Sequence, residues 1–483
     1  MNDRWLETPL LSTLQSLSLK EHSSFYAPGH KQGKGINPNL ANLLGKDVFQ
    51  ADLPELPELD NLFAPEGKIL EAQELAAKTF GAEKTWFLIN GSTCGIIAAI
   101  LATCGMGDKI ILPRNIHQSA IAGLILSGAI PVFINPESDS VEGLAYSITP
   151  EAIKRALAQN RDVKAVMVLY PTYQGVCGDL KAIAEIVHQY NIPLLVDEAH
   201  GAHFAFHPDL PPSALSMGAD LTVQSTHKVL GAMTQASMLH LQGTRISDRA
   251  INKTLQLLQS TSPSYLLLAS LDAARQQMAV AGKELMTQTL ALADTARKQL
   301  AEIEGISILN NLNRPGFNYL DRTRLTINIS KLGITGYQAD EILHQQLKVT
   351  CELPLLQHLT LIISLGNTPQ DIQNLIHAFD TLTSFSIPHF PSPIPHFPLP
   401  IPHSPITPRQ AYFAPTETIP VEISRDRLCA ELICPYPPGI PILMPGEIIT
   451  TDAINYLQQV IHSGGRITGC SDPNLKTIEV ISC

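Results

Sequence analysis

The chain has 483 residues, of which 45% are hydrophobic and 16% are charged, a composition typical of a folded multidomain protein and not of a disordered one. Its net charge of −11 disfavours nucleic acid or an anionic membrane as a main partner. The eight cysteines lack metal-type spacing, and the sequence contains neither a signal-peptide pattern nor the roughly 20 apolar residues of a spanning helix. We therefore expect a cytoplasmic protein with free thiols and no metal, membrane or nucleic-acid partner.

The N-terminal part of the chain predicts two helices separated by loops. Apolar residues recur at helical spacing across Trp5–Leu19, and a second, clear helix is predicted over Lys68–Phe80. The segment "APGHKQGKG" (Ala27–Gly35) between them is rich in turn residues. Its His30 and Lys31 belong either to a solvated loop or to the active site of this or a neighbouring subunit.

A strand, a turn and a helix follow one another after residue 84. The apolar run Thr85–Ile89 predicts the strand, and Asn90 begins the turn. Gly91 allows the backbone to turn, and Ser92 or Thr93 is a suitable helix cap. The first N–H groups of such a helix bind a phosphate. Taken alone this signal is weak, because many strand–turn–helix joints look the same.

Strand and helix patterns then alternate along the chain. The predicted elements are strands Lys109–Leu112, Ile130–Ile134, Ala165–Tyr170, Pro193–Asp197, Leu221–Ser225 and Met238–Leu241, with helices from His117, Pro150 and Asp179. This alternation predicts an α/β fold with a mostly parallel sheet whose ligands bind at the carboxyl ends of the strands. His117 is either a cap or core residue, or a ring that stacks on a flat ligand.

Two residues at predicted strand ends have a chemical meaning together. Lys228 follows Ser225-Thr226-His227 after an apolar strand, and burial favours the neutral amine that forms a Schiff base with an aldehyde. Asp197 ends a strand about one strand-plus-crossover unit earlier, in "LLVDEAHGAH". A lysine that holds an aldehyde and an acid that protonates a pyridine nitrogen are the groups that pyridoxal 5′-phosphate requires.

The second half of the chain changes character twice. Gly282–Ser384 has a long helix, the strands "RLTINIS" and "LTLIIS" and another helix, which predicts a smaller α+β domain. Ile387–Thr407 is then built of three imperfect proline–histidine heptads, which predict an extended linker. The alternative is a metal site made from the histidine of each heptad, His389, His396 and His403.

Globular character resumes after Tyr412. The segment "CPYPPGIPILMPGE" (Cys434–Glu447) contains three proline-rich turns, which predict a rigid irregular loop rather than a strand or helix. Glu447 at its end is either a surface charge or an acid that points into a site.

Seven segments, "PGHKQG", "NGSTCG", "RNIHQS", "DEAHGAH", "STHKVLGAMTQAS", "STSPSY" and "CPYPPGIPILMPGE", together resemble the Orn/Lys/Arg decarboxylase family. The resemblance covers almost the whole chain in order, apart from the linker, and is closest to the shorter bacterial type without an N-terminal wing domain. It implies a pyridoxal-phosphate enzyme of fold type I, aspartate-aminotransferase-like, with a large domain, a smaller α+β domain and a C-terminal α+β domain. The expected boundaries are a helical segment 1–45, large domain 46–282, small domain 283–384, linker 385–410 and C-terminal domain 411–483.

The resemblance also implies roles for individual residues. Lys228 carries the cofactor, Asp197 pairs with the pyridine nitrogen, and His117 stacks on the ring. The phosphate is held by the turn at Gly91 and by three hydroxyl residues, Ser92, Thr93 and Ser225. His227 lies beside the lysine, near the phosphate or the substrate carboxylate, and Glu447 and His30 are the expected substrate residues. Ser260–Tyr265 is expected to visit a neighbouring subunit, which implies a homodimer with a shared site, or a larger assembly built on it.

The implied reaction is decarboxylation of a basic L-amino acid in polyamine biosynthesis. Arginine, which gives agmatine and carbon dioxide, is favoured over lysine and then ornithine. The proton that replaces the carboxylate comes from Lys228 or His227. The alternatives are another pyridoxal-phosphate reaction such as aminotransfer, and a catalytically silent homologue that acts as a regulatory partner. The presence of Lys228, Asp197 and His117 argues against the silent homologue.

Overall fold

The computed structural model describes residues 4–139, 142–384 and 404–482. Most of the predicted linker, with His389, His396 and His403, lies outside the described residues. Among the residues that are described, no helix is long and apolar enough to cross a membrane.

The helices of the described residues are, in chain order, α1 (Pro9–Ser18), α2 (Pro38–Leu44), α3 (Lys46–Ala51), α4 (Lys68–Phe80), α5 (Gly91–Thr103), α6 (Gln118–Ser127), α7 (Pro150–Gln159), α8 (Leu180–Gln189), α9 (Thr226–Val229), α10 (Asp248–Leu258), α11 (Tyr265–Leu300), α12 (Gly336–Gln345), α13 (Pro369–Thr383), α14 (Pro408–Tyr412) and α15 (Thr451–His462). The strands are β1 (Lys84–Leu88), β2 (Lys109–Pro113), β3 (Ile130–Ile134), β4 (Ser138–Asp139), β5 (Leu144–Ala145), β6 (Val163–Leu169), β7 (Val176–Cys177), β8 (Leu194–Asp197), β9 (Leu221–Gln224), β10 (Ser237–Leu241), β11 (Ser307–Ile308), β12 (Tyr319–Leu320), β13 (Arg324–Asn328), β14 (Leu353–Pro354), β15 (His358–Ile362), β16 (Thr416–Pro420), β17 (Cys434–Tyr436), β18 (Arg466–Thr468) and β19 (Thr477–Ile481).

A seven-stranded sheet with the order β1-β10-β9-β8-β6-β2-β3 forms the centre of the large domain. The strands from β9 to β3 pair in parallel, and β10 runs antiparallel to both of its neighbours. Every residue of β8, β9 and β10 is buried, as expected of strands that are covered by helices on both faces. The predicted mostly parallel α/β sheet is confirmed.

The N-terminal helix is shorter than predicted. It begins at Pro9, a residue whose missing N–H costs nothing in the first turn of a helix, and residues 4–6 form a separate 3₁₀ turn. The free N–H groups of Leu10 and Leu11 donate to the buried carboxylate of Asp272 on α11. Helix α4 has the predicted bounds and ends at Gly81, whose φ of +76° suits a left-handed cap.

Helix α11 joins the large and small domains. Its first half packs in the large-domain core, and its last turns, from Ala293 to Leu300, pack in the small-domain core. The small domain is a four-stranded antiparallel sheet with the order β11-β13-β15-β14, covered by α12 and α13. It is the α+β architecture that the strand and helix pattern predicted.

The C-terminal part contains two antiparallel strand pairs, β16 with β19 and β17 with β18, and helix α15. The prediction that Cys434–Glu447 forms no strand was wrong at its start, because Cys434–Tyr436 pairs with Arg466–Thr468. Pro435 is tolerated there because a strand with one neighbour needs fewer backbone donors. Helix α14 begins inside the segment predicted as linker, where Thr407 and Gln410 form a capping box.

Candidate active site

The candidate site lies where β8 and β9 end. The one-turn helix α9 follows β9 and carries Lys228, whose Nζ lies 3.0 Å from His200 Nε2 and 5.6 Å from the centre of the Tyr173 ring. Burial lowers the pKa of Lys228, and the carboxylates of Asp197 and Glu352 oppose that shift. The side chain therefore lies in surroundings that favour the neutral amine.

Asp197 is the last residue of β8 and is only 3% exposed. Its Oδ1 accepts a hydrogen bond of 3.1 Å from the Ala199 N–H. Burial raises the pKa of this carboxyl group, and the positive charge of Lys228 counteracts the rise. Asp197 and Lys228 are thus a buried acid and a buried base whose charges act on each other.

A cradle for an anion lies at the start of α5. Gly91 has a φ of +74°, a conformation that suits glycine, and it places the first N–H groups of α5 at the turn. The Ser225 hydroxyl donates to Ser92 Oγ at 2.7 Å, which brings the two predicted phosphate residues together. Thr93 is exposed beside them, and the buried Thr226 Oγ1 has no hydrogen-bond partner within the described part of the chain.

His117 caps helix α6. Its Nδ1 accepts a hydrogen bond from the Ser119 N–H at 3.2 Å, which leaves the proton of the neutral ring on Nε2. Burial lowers the pKa of His117 to about 4, and the charge of Lys228 adds to the effect. The capping role and a position beside Lys228 are therefore compatible.

The proline-rich loop of the C-terminal domain covers this histidine. The Gln118 N–H donates to the Gly439 carbonyl at 3.0 Å, and a Cβ at Gly439 would lie 3.2 Å from His117 Nε2. The Tyr173 hydroxyl donates to the Pro438 carbonyl at 3.2 Å. The C-terminal domain therefore forms part of the wall of the site.

Glu447 at the end of that loop is buried in an ion pair. Its Oε2 lies 3.0 Å from Arg114 Nη2 and accepts a second hydrogen bond from the Met444 N–H. Arg114 also donates to the carbonyls of Pro441 and Ile442. Burial raises the pKa of Glu447, and Arg114 opposes the rise. These contacts attach the loop to the segment before His117, and a substrate role for Glu447 stays a prediction.

His30 lies in a different cluster. Its Nε2 is 3.1 Å from Asp52 Oδ2, its Nδ1 accepts from the Gly33 N–H, and its ring meets Phe49 edge-on. None of these partners belongs to the group around Lys228. Within one chain the structure does not bring His30 to the site.

His227 precedes Lys228 on α9, and its ring orientation is fixed by the backbone. Its Nδ1–H donates to the Ala236 carbonyl at 3.0 Å, which leaves Nε2 as the acceptor nitrogen of the neutral ring. Burial lowers the pKa of His227; the bond to Ala236 opposes the shift and Lys228 adds to it.

The predicted visiting loop contacts its own chain, since the Ser260 N–H donates to Asn90 Oδ1 at 3.2 Å. A contact with a neighbouring subunit stays a prediction.

Four residues near Lys228 were not singled out by the sequence: Tyr173, His200, Arg324 and Glu352. Arg324 begins β13 in the small domain and donates to the His200 carbonyl at 3.2 Å. Glu352 precedes β14 and is exposed; its backbone N–H donates to the Thr360 carbonyl at 3.0 Å, but its carboxylate makes no hydrogen bond or ion pair within the described ranges. His200 lies in the quoted "DEAHGAH" motif, so the motif itself was a signal. The other three reach the site only through the packing of separate segments.

The residues of this cluster fit pyridoxal 5′-phosphate. A buried neutral amine suits its aldehyde, a buried acid at a strand end suits its ring nitrogen, and paired hydroxyls at a helix start suit its phosphate. The unpartnered Thr226 hydroxyl within that shell is a buried polar atom that a bound anion would satisfy.

Comparison with known proteins gives the same result over nearly the whole chain. The family models described as "Orn/Lys/Arg decarboxylase, major domain" and "Orn/Lys/Arg decarboxylase, C-terminal domain" match residues 8–378 and 398–472. An arginine decarboxylase of Bacillus subtilis (strain 168) is 40% identical over 482 residues, which cover 98% of each chain. The lysine decarboxylase LdcA of Pseudomonas aeruginosa is 26% identical and covers 92% of this chain and 74% of its own length.

Solved structures agree on the fold. Lysine decarboxylase A from Pseudomonas aeruginosa superimposes with a TM-score of 0.83 at 23% identity, over 99% of this chain and 81% of that one. The Francisella novicida lysine decarboxylase LdcF gives a TM-score of 0.82 at 21% identity, over 99% and 82%. The fold, the cofactor chemistry and the two matched domains together identify the protein as a pyridoxal-phosphate-dependent amino-acid decarboxylase that belongs to the Orn/Lys/Arg decarboxylase family.

Proposed function

We propose that this enzyme converts L-arginine to agmatine and carbon dioxide in polyamine biosynthesis, with lysine and then ornithine as less favoured substrates. The observation that carries the proposal is the buried acid–base pair of Lys228 and Asp197 at the sheet edge, beside the hydroxyl cradle at the start of α5. The 40% identity to an arginine decarboxylase over 98% of both chains supports the choice of arginine.

Each residue of the site has a defined task in this proposal. Lys228 binds the cofactor aldehyde through its amine, Asp197 holds a proton at the pyridine nitrogen, and the His117 ring bounds one face of the pocket. Ser92 and Ser225 donate to the phosphate. The bound cofactor withdraws the electron pair that remains when the substrate carboxylate leaves. The pocket walls exclude water from that carbon, since Asp197 and His200 are both at most 3% exposed.

A proton must return to the substrate carbon after carbon dioxide leaves. Two groups on α9 are suited to supply it, Lys228 Nζ and His227 Nε2. The backbone bond from His227 Nδ1 to Ala236 leaves Nε2 free to take up a proton, and burial lowers the pKa of both side chains, so a proton held on either one is readily released. These contacts support a role in proton return for one of the two residues.

We further propose that Glu352 receives the cationic end of the substrate. Burial lowers the pKa of both Lys228 and Arg324, and the charge of Glu352 opposes the shift at each of them, so its carboxylate lies within electrostatic reach of the site. It is exposed and has no ionic partner among the described residues, so it is available to a guanidinium. Glu352→Gln should raise the KM for arginine at least about tenfold with a smaller change in kcat. The matched control is Glu341→Gln, an exposed acid on α12. An unchanged KM in Glu352→Gln would remove this assignment.

We propose a homodimer with a shared site as the functional unit, or a larger assembly built on it. Its support is the set of large apolar side chains exposed on the N-terminal segment, which are Leu19 (74%), Phe25 (94%), Leu40 (39%), Leu43 (78%) and Leu44 (48%). Exposed apolar groups in such number mark an association surface.

The seven cysteines of the described residues carry free thiols, which supports a reducing, cytoplasmic setting.

Lys228→Ala tests the central assignment. The variant should lose turnover, because it lacks the buried amine that lies beside His200 and within electrostatic reach of Asp197. Lys253→Ala, an exposed lysine on α10, is the matched control and should keep wild-type activity. Arginine, lysine and ornithine are assayed separately for carbon dioxide and for the amine. Substantial decarboxylation by Lys228→Ala would contradict the proposal, and release of a keto acid by the wild type would favour aminotransfer.

A further inference from the structure

His200 makes a direct contact with the reacting nitrogen of the site. Its Nε2 lies 3.0 Å from Lys228 Nζ, and the side chain is 2% exposed. Burial lowers the pKa of His200, and the charge of Lys228 lowers it further, so the neutral ring is favoured, with Nε2 as the nitrogen that faces the lysine amine. The titratable or charged groups that face the ring are Lys228, Tyr173, His117, His203 and Arg324.

The ring is held in place from two sides. Tyr173 packs against it with 4.5 Å between the ring centres, and the Tyr173 hydroxyl is itself fixed by the Pro438 carbonyl. On the other side, the His200 carbonyl accepts a hydrogen bond from the fully buried Arg324. These contacts hold Nε2 towards Lys228 without using either ring nitrogen.

The second ring nitrogen of His200 is Nδ1. The Nδ1 of His200 is buried and has no hydrogen-bond partner within residues 4–139, 142–384 and 404–482. Nδ1 of His203, on the same loop, is likewise unpartnered within those ranges, but its Nε2 lies 3.2 Å from the buried Asp321 Oδ2. Within the described part of the chain no carboxylate contacts either ring nitrogen of His200, and Nε2 faces only the Lys228 amine, with which it can exchange a proton.

Lys228 needs such a partner whenever an amine replaces it on the cofactor. In that exchange the incoming nitrogen loses two hydrogens and the lysine nitrogen gains two, so the exchange consumes no net proton and needs no oxidant or reductant. A base that is fixed beside the lysine nitrogen lowers the barrier for this transfer.

We propose that His200 is the proton carrier for Lys228. Its Nε2 accepts a proton from the incoming amine nitrogen and delivers it to Lys228 Nζ as the bond between the lysine and the cofactor breaks. The second hydrogen passes directly from the incoming amine nitrogen to Lys228 Nζ, without His200. The inference rests on Lys228 as the attachment point, as proposed above, but not on which amino acid is the substrate.

Hydroxylamine is a suitable probe, because it releases Lys228 from any bound pyridoxal phosphate without decarboxylation. The exchange is followed in the full-length holoenzyme by the absorbance of the bound cofactor after rapid mixing. His200→Gln keeps a hydrogen-bond acceptor but no titrating base, and His200→Ala removes both. Both variants should exchange about 10²-fold more slowly than the wild type. Imidazole added to His200→Ala should restore part of the rate. His207→Gln, a histidine bonded to Thr287 outside the site, is the control and should exchange at the wild-type rate.

Two results would overturn the proposal. Wild-type exchange by His200→Gln would mean that the residue is only a hydrogen-bond acceptor that positions the lysine. A slow His200→Ala enzyme that imidazole does not accelerate would mean that the loss is structural. Reduction of the holoenzyme with borohydride, followed by peptide mapping, locates the cofactor separately. A label on a residue other than Lys228 would overturn the proposed function itself, whatever the rates of the His200 variants.

Discussion

Replacement of Glu447 by alanine tests what this buried acid does. The carboxylate and the Arg114 guanidinium are 2% and 7% exposed and lie 3.0 Å apart. Removing one member leaves the other as an uncompensated buried charge, which costs about 3–5 kcal/mol of folding free energy. The Met444 N–H loses its acceptor at the same time. We therefore expect Glu447→Ala to lower the free energy of unfolding by about 3–5 kcal/mol.

The assay is urea unfolding of the holoenzyme, with the far-ultraviolet circular dichroism as the signal. Arg114→Met combined with Glu447→Met should lose less stability than either single substitution, because no unpaired charge remains. Glu417→Ala, which breaks the more exposed pair with Arg427 in the same domain, is the control and should cost at most about 1 kcal/mol. An unchanged stability in Glu447→Ala, together with a raised KM for arginine, would refute the structural role and restore the predicted substrate role.

Two further predictions concern the loop over the site and the acid sensitivity of the sheet. Gly439→Ala should weaken cofactor binding and turnover, because the new Cβ would lie 3.2 Å from His117 Nε2. The control is Gly107→Ala: Gly107 has a similar φ (+84° against +87° at Gly439), but a Cβ there would have no atom within 4 Å. This control variant should lose stability but keep its activity. Equal activities of the two variants would contradict this. Burial lowers the pKa of His240 from 6.5 to about 3, so the unfolded chain binds the proton first as the pH falls below 6.5. Between pH 6.5 and 5 the wild type should therefore lose up to about 2 kcal/mol more stability than His240→Gln. The free energy of unfolding is measured by urea unfolding at each pH. Equal losses in the two proteins would contradict the reasoning.

Local patterns of the sequence predicted most of the fold. Helix Lys68–Phe80 and strand Ile130–Ile134 have the predicted bounds, because a side-chain period of 3.6 or a short apolar run records which face is buried. The same patterns placed Asp197 and Lys228 at or just beyond strand ends, and a parallel sheet brings such ends to one edge. The acid–base pair of the site was therefore visible from the order of the elements.

The predictions that the structure corrected depend on contacts between distant segments. Pro9 starts the first helix and Cys434–Tyr436 pairs as a strand because other parts of the chain supply Asp272 and Arg466–Thr468 as partners. Neither partner is marked by local periodicity.

The amino-acid sequence by itself determined the α/β fold, the family and the positions, at strand ends, of the residues predicted to hold the cofactor, since each is encoded within one segment. Only the tertiary structure decided that Glu447 pairs with Arg114, that His30 pairs with Asp52, and that His200 contacts Lys228. The partners in these pairs are separated by between 22 and 333 residues along the chain. Whether a charged side chain meets a substrate or a counter-ion depends on which distant segment packs against it, and no local pattern records that.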